Sequence, residues 1–355
     1  MRVTTLTRRR FITQTTMGTI TGGAVLSSAL VAPRGLQAAE DPKTNHRFVN
    51  ANGIRIHLAE QGQGPLVLLC HGFPESWYSW RHQLPALANA GFHAVAPDMR
   101  GYGQTDRPKE IDQYTVLHLV GDLVGVLDAL KIDTAVVVGH DWGATVAWNA
   151  ALLRPDRFRA VVALSGPFRP RGPVRPTSAM PQTDDAWYYQ LYFQKPGVAE
   201  AELERDPRDT IRLIFLGDGA RGGIVPRSGG WLTGRVAPSS LPSWLTEEDI
   251  EFYATEFKRA GFRGGLNYYR NLDRNWELLA PYAGARIAVP ALFITGDHDS
   301  VLAFPGMDAA IKDLRTSVPQ LRKSIVLADC GHRMQQERPR EVNAAMLEFL
   351  KTLSH

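Results

Sequence analysis

Residues 134–153 read TAVVVGHDWGATVAWNAALL, and the fold turns on how the middle of that run is taken. Thr134 to Gly139 is a short apolar run rich in β-branched residues, the pattern of a strand buried on both faces of a parallel sheet. Ala144 to Leu153 has helix formers at helical spacing. Between them, Gly139 and Gly143 let the chain turn sharply without a Cβ clash. Strand, tight turn and helix together make a nucleophile elbow, with aspartate at the centre where serine is commoner. Asp141 is therefore expected on the turn, facing the backbone N–H groups that open the following helix.

Aspartate at that position moves the chemistry from esters to alkyl carbon. A carboxylate with an ordinary pKa near ~3.9 is already charged at neutral pH and needs no base to become a nucleophile. Attack on a strained or halogenated carbon leaves an alkyl ester, and an ester carbonyl is open to a water activated by histidine. A serine attacking the same carbon would leave a stable ether.

Outward from the elbow, the remaining parts follow in the order nucleophile, acid, histidine. The histidine is His332 in Asp329-Cys330-Gly331-His332, just past an expected strand, where a loop can aim an imidazole at the elbow. The acid is Asp299 or Asp297 in Thr295-Gly296-Asp297-His298-Asp299. Asp299 is preferred, with the role of holding the histidine tautomer and stabilising the imidazolium. His71-Gly72-Phe73-Pro74 ends another expected strand and supplies the loop that donates an N–H to an oxyanion; the donors would be the amides of Phe73 and Trp142. Asp98 to Gly103 reads as a structural turn near the site.

From Arg47 onward strands and helices alternate, which predicts an α/β fold with a mostly parallel sheet covered on both faces. His46 to Val49 and Ile54 to Glu60 form a leading hairpin. Pro65 to Cys70 is a strand, Trp80 to Ala90 a helix, His93 to Ala96 a strand and Thr115 to Leu130 an amphipathic helix. Phe158 to Leu164 is a further strand. The alternation stops at Pro167, where Pro, Gly, Arg and aromatics take over, with helical stretches such as Glu247 to Arg259. It resumes with a strand at Val289 to Gly296, a strand at Ser324 to Ala328 and a last helix at Glu341 to Leu353. The expected organisation is a core of residues 46–166 and 284–355 and an inserted, mainly helical cap of residues 167–283.

The chain has 355 residues, 44% of them hydrophobic, enough for one large core carrying an insertion. Its formal charge of +4 comes from the first 39 residues, which hold five arginines and no acids, so the remainder stands at −1. A near-neutral body has no electrostatic footprint for nucleic acid. Within the first 39 residues, Thr7-Arg8-Arg9-Arg10-Phe11-Ile12 fits the twin-arginine export pattern, followed by a modestly apolar stretch from Met17 to Ala32 and small residues at Ala38-Ala39. The expectation is a removable export signal, the twin-arginine machinery as partner, and work outside the cytoplasm. Only Cys70 and Cys330 occur, which excludes a disulfide scaffold and a cysteine-based zinc site; both are expected to pack as buried free thiols.

Four segments carry a resemblance: His71-Gly-Phe-Pro-Glu-Ser-Trp-Tyr-Ser-Trp80-Arg, Gly139-His-Asp-Trp-Gly143, Tyr189-Gln-Leu-Tyr-Phe-Gln-Lys-Pro-Gly-Val-Ala-Glu200 and Phe262-Arg-Gly-Gly-Leu-Asn-Tyr-Tyr-Arg-Asn271. They resemble the hydrolase domain of soluble epoxide hydrolases, over residues 46 to 353. The resemblance implies the α/β-hydrolase fold with its cap, and two cap tyrosines, Tyr189 and Tyr269, whose hydroxyls bind the epoxide oxygen. It also implies attack by Asp141, then ester hydrolysis by water that His332 deprotonates, giving a vicinal diol from epoxide and water with no metal or cofactor. A phenol suits the task because its pKa near ~10 keeps it protonated while the opening ring develops an alkoxide. Arg333 departs from the pattern, since relatives often carry an aromatic after the histidine. Two other functions fit part of the pattern: a haloalkane dehalogenase, which would use the same aspartate and histidine but has no task for paired tyrosines, and a binding protein that keeps the fold without turnover.

Overall fold

The computed structural model describes residues 44–217 and 223–353; the expected export signal lies outside them. Eight strands form one sheet: β1 (Asn45–Ala51), β2 (Ile54–Gln61), β3 (Leu66–Cys70), β4 (His93–Pro97), β5 (Ala135–His140), β6 (Phe158–Leu164), β9 (Ala291–Gly296) and β10 (Leu321–Leu327), with β7 (Ala186–Tyr188) and β8 (Ile224–Pro226) apart from it. Its order is β1-β2-β4-β3-β5-β6-β9-β10. β1 and β2 form an antiparallel hairpin that joins β4 antiparallel, and every pairing from β4 to β10 is parallel.

Alternate side chains of the central strands go to opposite faces. Val67, Leu69, Val136, Val138, Val162 and Ile294 pack with Trp80, Leu84 and, from the C-terminal helix Pro339–Lys351, Met346, Phe349 and Leu350. Leu68, Val137, Val161, Ala163 and Phe293 pack on the other side with Leu119, Leu123 and Leu127 of the helix Val116–Leu130. Because both faces are covered, all six residues of β5 are buried and the run from Ala135 to Val138 is apolar without alternation.

Between β6 and β9 the chain leaves the sheet. That insertion carries the helices Tyr189–Tyr192, Val198–Leu203, Pro207–Leu216, Glu247–Ala260, Arg263–Arg270 and Leu272–Leu278. It also contains the small β7–β8 hairpin, which a mainly helical expectation did not include. The hairpin matters for the site, because Tyr189 follows β7 directly and its N–H donates to the Gly223 carbonyl at 2.7 Å. Parallel strands all end on one edge of the sheet, so the loops after β3, β5, β6, β9 and β10 converge there.

Candidate active site

Asp141 sits between β5 and the helix Trp142–Leu153 with φ of 53° and ψ of −118°. A non-glycine residue held there is strained by about 1–3 kcal/mol, and the surroundings enforce it. Its carbonyl accepts from Ala144 N and Thr145 N at 3.0 and 3.2 Å, and its N–H donates to the Leu164 carbonyl at 3.3 Å. A Cβ on Gly139 would run into the Gly143 carbonyl, and one on Gly143 into the Cys70 carbonyl, so the turn closes only with glycine at both places. The side chain that results is one-fifth exposed at the strand edge.

Three neighbours set the geometry of that carboxylate. Phe73 N donates to Asp141 Oδ1 at 2.9 Å, which places an oxyanion donor on one oxygen and leaves the other free. Trp142 is the first helical residue, where the main-chain N–H has no acceptor within its own helix. His332 Nε2 stands 3.7 Å from Oδ2. Behind the imidazole, Nδ1 is 2.9 Å from Asp299 Oδ1, a bond that fixes Nε2 as the nitrogen facing Asp141.

Asp299 is 3% exposed and accepts from Val301 N at 3.0 Å. Burial raises its pKa, but the facing imidazole and the hydroxyl of Ser165 outweigh that and hold it below the usual carboxylate range. His332 is the mirror case: burial disfavours the imidazolium, while Asp299 and then Asp141 favour it, and the balance raises its pKa above 6.5. Asp297, the other acid considered, points away: its carboxylate accepts from Asp329 N and Cys330 N at 3.1 and 3.0 Å and braces the loop that carries His332.

His71 belongs to the loop but not to the reacting centre. Its Nδ1 donates to the Gly72 carbonyl at 2.8 Å and its Nε2 accepts from Met99 N at 3.0 Å. With both nitrogens committed and the ring buried against Tyr102, the side chain shapes the loop and is not available as a ligand group. His71 thus contributes to the site through the oxyanion loop it opens, and its imidazole has no role in the reaction beyond holding that loop.

Above Asp141 stand two tyrosines from the insertion. Tyr189 and Tyr269 are 8% and 4% exposed, with ring centroids 5.8 Å apart. Tyr269 packs edge-on against Trp142 at 5.1 Å and Phe73 at 5.6 Å. Burial, with Asp141 nearby, pushes both phenols well above their ordinary range, so both stay protonated. Gln190 Nε2 donates to the Tyr189 hydroxyl oxygen at 3.0 Å, which occupies an acceptor lone pair and leaves the O–H proton for another partner. Trp231 stacks on Tyr189 at 5.7 Å, held by Glu202, whose carboxylate accepts from Trp231 N and Leu232 N. The walls are aromatic and the groups converging on the centre are one carboxylate, one imidazole and two phenols.

Several participants escape a reading of the sequence. Ser165 follows β6 with φ of 72°, and its hydroxyl is 3.1 Å from His332 Nδ1. Glu75, fully buried, lies 3.1 Å from His140 Nδ1, while His140 Nε2 donates to the His332 carbonyl at 2.7 Å. Glu75 and His140 lie inside motifs already noted for other residues and Ser165 just past the strand Phe158–Leu164, and only the partner's position in space reveals their use. Cys70 and Cys330 are buried free thiols, with burial pushing Cys330 up to about 12.

Comparison with known proteins extends this geometry. The sequence model of the α/β-hydrolase fold family matches residues 65–339. The chain is 48% identical over 317 residues to epoxide hydrolase A of Mycobacterium tuberculosis, covering 86% of this chain and 97% of that one. It is 47% identical over 311 residues to epoxide hydrolase 3 of Siraitia grosvenorii, covering 86% and 98%. Among solved structures, epoxide hydrolase A from Mycobacterium thermoresistibile superposes with a TM-score of 0.83 at 47% identity, over 88% of this chain and 99% of that one. An epoxide hydrolase from an endophytic Streptomyces superposes with a TM-score of 0.84 at 48% identity, over 87% and 95%.

Proposed function

The chain belongs to the epoxide hydrolase family of the α/β-hydrolase fold and hydrolyses epoxides, and on that premise we propose how its own residues carry the reaction. Asp141 Oδ2 attacks one epoxide carbon, the ring C–O bond breaks, and the departing oxygen takes a proton from Tyr189 or Tyr269. The Phe73 amide already holds Oδ1, so Oδ1 becomes the carbonyl oxygen of the ester. His332 Nε2 then removes a proton from water, and the resulting hydroxide adds to the ester carbon. Negative charge appears on Oδ1, where the amides of Phe73 and Trp142 stabilise it. Collapse of that intermediate releases the vicinal diol, its second hydroxyl taking the proton from the imidazolium, and the proton left on the Asp141 carboxyl returns through water to the tyrosinate. Asp299 holds the tautomer and stabilises that cation.

The observation that carries this assignment is the division of labour on one carboxylate: Oδ1 on an amide, Oδ2 facing an imidazole, and two protonated phenols over both. Residues 167–283 act in it as a cap, supplying the phenols and excluding water from the opening ring. A single turnover in heavy-oxygen water with enzyme in excess tests the scheme. The label is expected in Asp141 and absent from the first diol; label in that diol with none in the protein would end it.

We further propose that residues 1–39 are a twin-arginine export signal and that the enzyme works outside the cytoplasm. Thr7 to Ile12 and the absence of acids before Glu40 support this. Replacing Arg8 and Arg9 by Lys should keep the protein in the cytoplasmic fraction of an expressing cell; unchanged export would count against it.

A further inference from the structure

Arg333 is the one residue of the histidine loop that the sequence marks as a departure, and its side chain is not on the surface. It is 5% exposed. Its Nε lies 3.5 Å from Glu75 Oε1, and its guanidinium carbon lies 3.7 Å above the ring centre of Phe215 in the insertion helix Pro207–Leu216. Nε makes no hydrogen bond, so charge and stacking hold it there. Glu75 is itself anchored, accepting from Gly72 N and Gln336 Nε2 at 3.4 and 3.3 Å and facing His140. The main chain is fixed as well, since Glu337 accepts from Gly331 N and Arg333 N at 2.6 and 2.8 Å.

A buried cation beside the general base has an electrostatic consequence. The groups facing His332 are Asp141 from the elbow at 3.7 Å, Asp299 from the loop after β9 at 2.9 Å and the Ser165 hydroxyl from the loop after β6 at 3.1 Å. The His140 ring lies on β5 with its centroid 4.7 Å away and Glu75 behind it, and Arg333 adjoins in the chain. In the free enzyme three carboxylates favour the imidazolium; once Asp141 is an ester, Asp299 and Glu75 still do. A base that is already protonated cannot take a proton from water.

We propose that Arg333 is a positioning residue that keeps His332 available as a free base in the hydrolytic half-reaction, by holding a fixed positive charge against the carboxylates of Asp299 and Glu75. Its pairing with Glu75 and its seat on Phe215 keep that charge in place and tie it to the cap. Arg333 acts against protonation of His332, opposing Asp299 and Asp141. It also favours the ionised form of Glu75, second to His140.

The inference rests on the two-step reaction proposed above, and one experiment separates the two. With styrene oxide as probe and enzyme in excess, rapid quenching over a range of pH follows ester formation and ester decay. Ester formation needs no free imidazole, so Arg333→Met should leave it within about threefold of the parent. Ester decay should fall on the acid side at a pH higher by at least about half a unit, the direction set by the loss of one positive charge. Arg333→Gln should shift it alike and serves where the methionine variant folds poorly. Arg333→Lys keeps the charge and should restore the parent profile within about 0.3 unit. Acid limbs of the neutral variants that overlie the parent's, or a lysine variant shifted as far as they are, would overturn the role of Arg333. Absence of any ester in the parent enzyme would instead overturn the two-step reaction.

Discussion

Nε2 of His332 lies 3.7 Å from Oδ2 of Asp141, too far for a hydrogen bond. The imidazole therefore does not tie up the lone pair that attacks carbon, and Nε2 keeps its own lone pair for the proton of the attacking water. Substituting His332→Gln should leave ring opening intact and stop ester hydrolysis, with turnover falling at least about 10³-fold. Intact-protein mass spectrometry should then find an adduct equal in mass to the substrate. Unmodified protein under enzyme excess would contradict the assignment.

Tyr189 and Tyr269 reach the same space from different elements, one after β7 and one on the helix Arg263–Arg270. Either phenol can donate to the opening ring, so Tyr189→Phe or Tyr269→Phe alone should slow ester formation by about 10–10²-fold, and the pair together by about 10⁴-fold or more. Thermal unfolding should move little, because phenylalanine keeps the ring contacts with Phe193 and Trp142. Rapid-quench ester formation measures the first effect and calorimetry the second. A double variant that still opens epoxides at the parent rate would remove both residues from the chemistry.

How much of this was legible in the chain depends on the distance between partners. Asp141 could be read because its strand, turn and helix are contiguous, and because glycine at 139 and 143 has a steric reason that a local pattern expresses. Asp299 could be preferred over Asp297, but only the fold shows why: one carboxylate faces His332, and the other is used by the amides of Asp329 and Cys330. Glu75 and Ser165 were silent, since their partners lie 65 and 167 positions away and nothing local distinguishes them from turn residues. Strands of three residues such as β7 and β8 are too short to show a period of two. The helix expected from Trp80 begins at Gln83 instead, because Trp77–Trp80 closes its own 3-10 turn, capped by Ser76.

Gly143 shows where sequence and function meet at the backbone. A methyl group there meets the carbonyls of Cys70 and His71, and both belong to the β3 edge and the loop that orients the Phe73 amide. Neither carbonyl can withdraw without moving that loop. Gly143→Ala should therefore cost more than about 2 kcal/mol of stability and, in whatever folds, weaken ester hydrolysis more than thermal stability alone explains. Denaturant unfolding and rapid-quench rates on the same sample test this. A variant as stable and as active as the parent would show the elbow to be looser than its contacts indicate.

The pairing of His332 with Asp299 makes a further demand, on pH. In His332, burial opposes the charge but Asp299 and Asp141 overcome it, so the folded pKa is raised. The stability it contributes is complete below its unfolded value near ~6.5 and is lost as pH rises through the folded one. In Asp299 burial likewise opposes the charge and His332 overcomes it, so the folded pKa is depressed. Its contribution is present above the ordinary carboxylate range and is lost as pH falls through the depressed value. Ester hydrolysis needs the neutral imidazole, so its rate should fall on the acid side of the imidazole's pKa in the ester, where Asp299 still favours the cation but Asp141 no longer does. Asp299→Asn removes the strongest favourable partner of the imidazolium, and the acid limb should move to lower pH. The plateau should nevertheless drop by roughly 10²–10⁴-fold, because an amide neither fixes the tautomer nor stabilises the cation formed in the step. A pH profile of ester decay measures both effects. A limb that moves to higher pH would mean that Asp299 does not govern His332, whatever the distance between them.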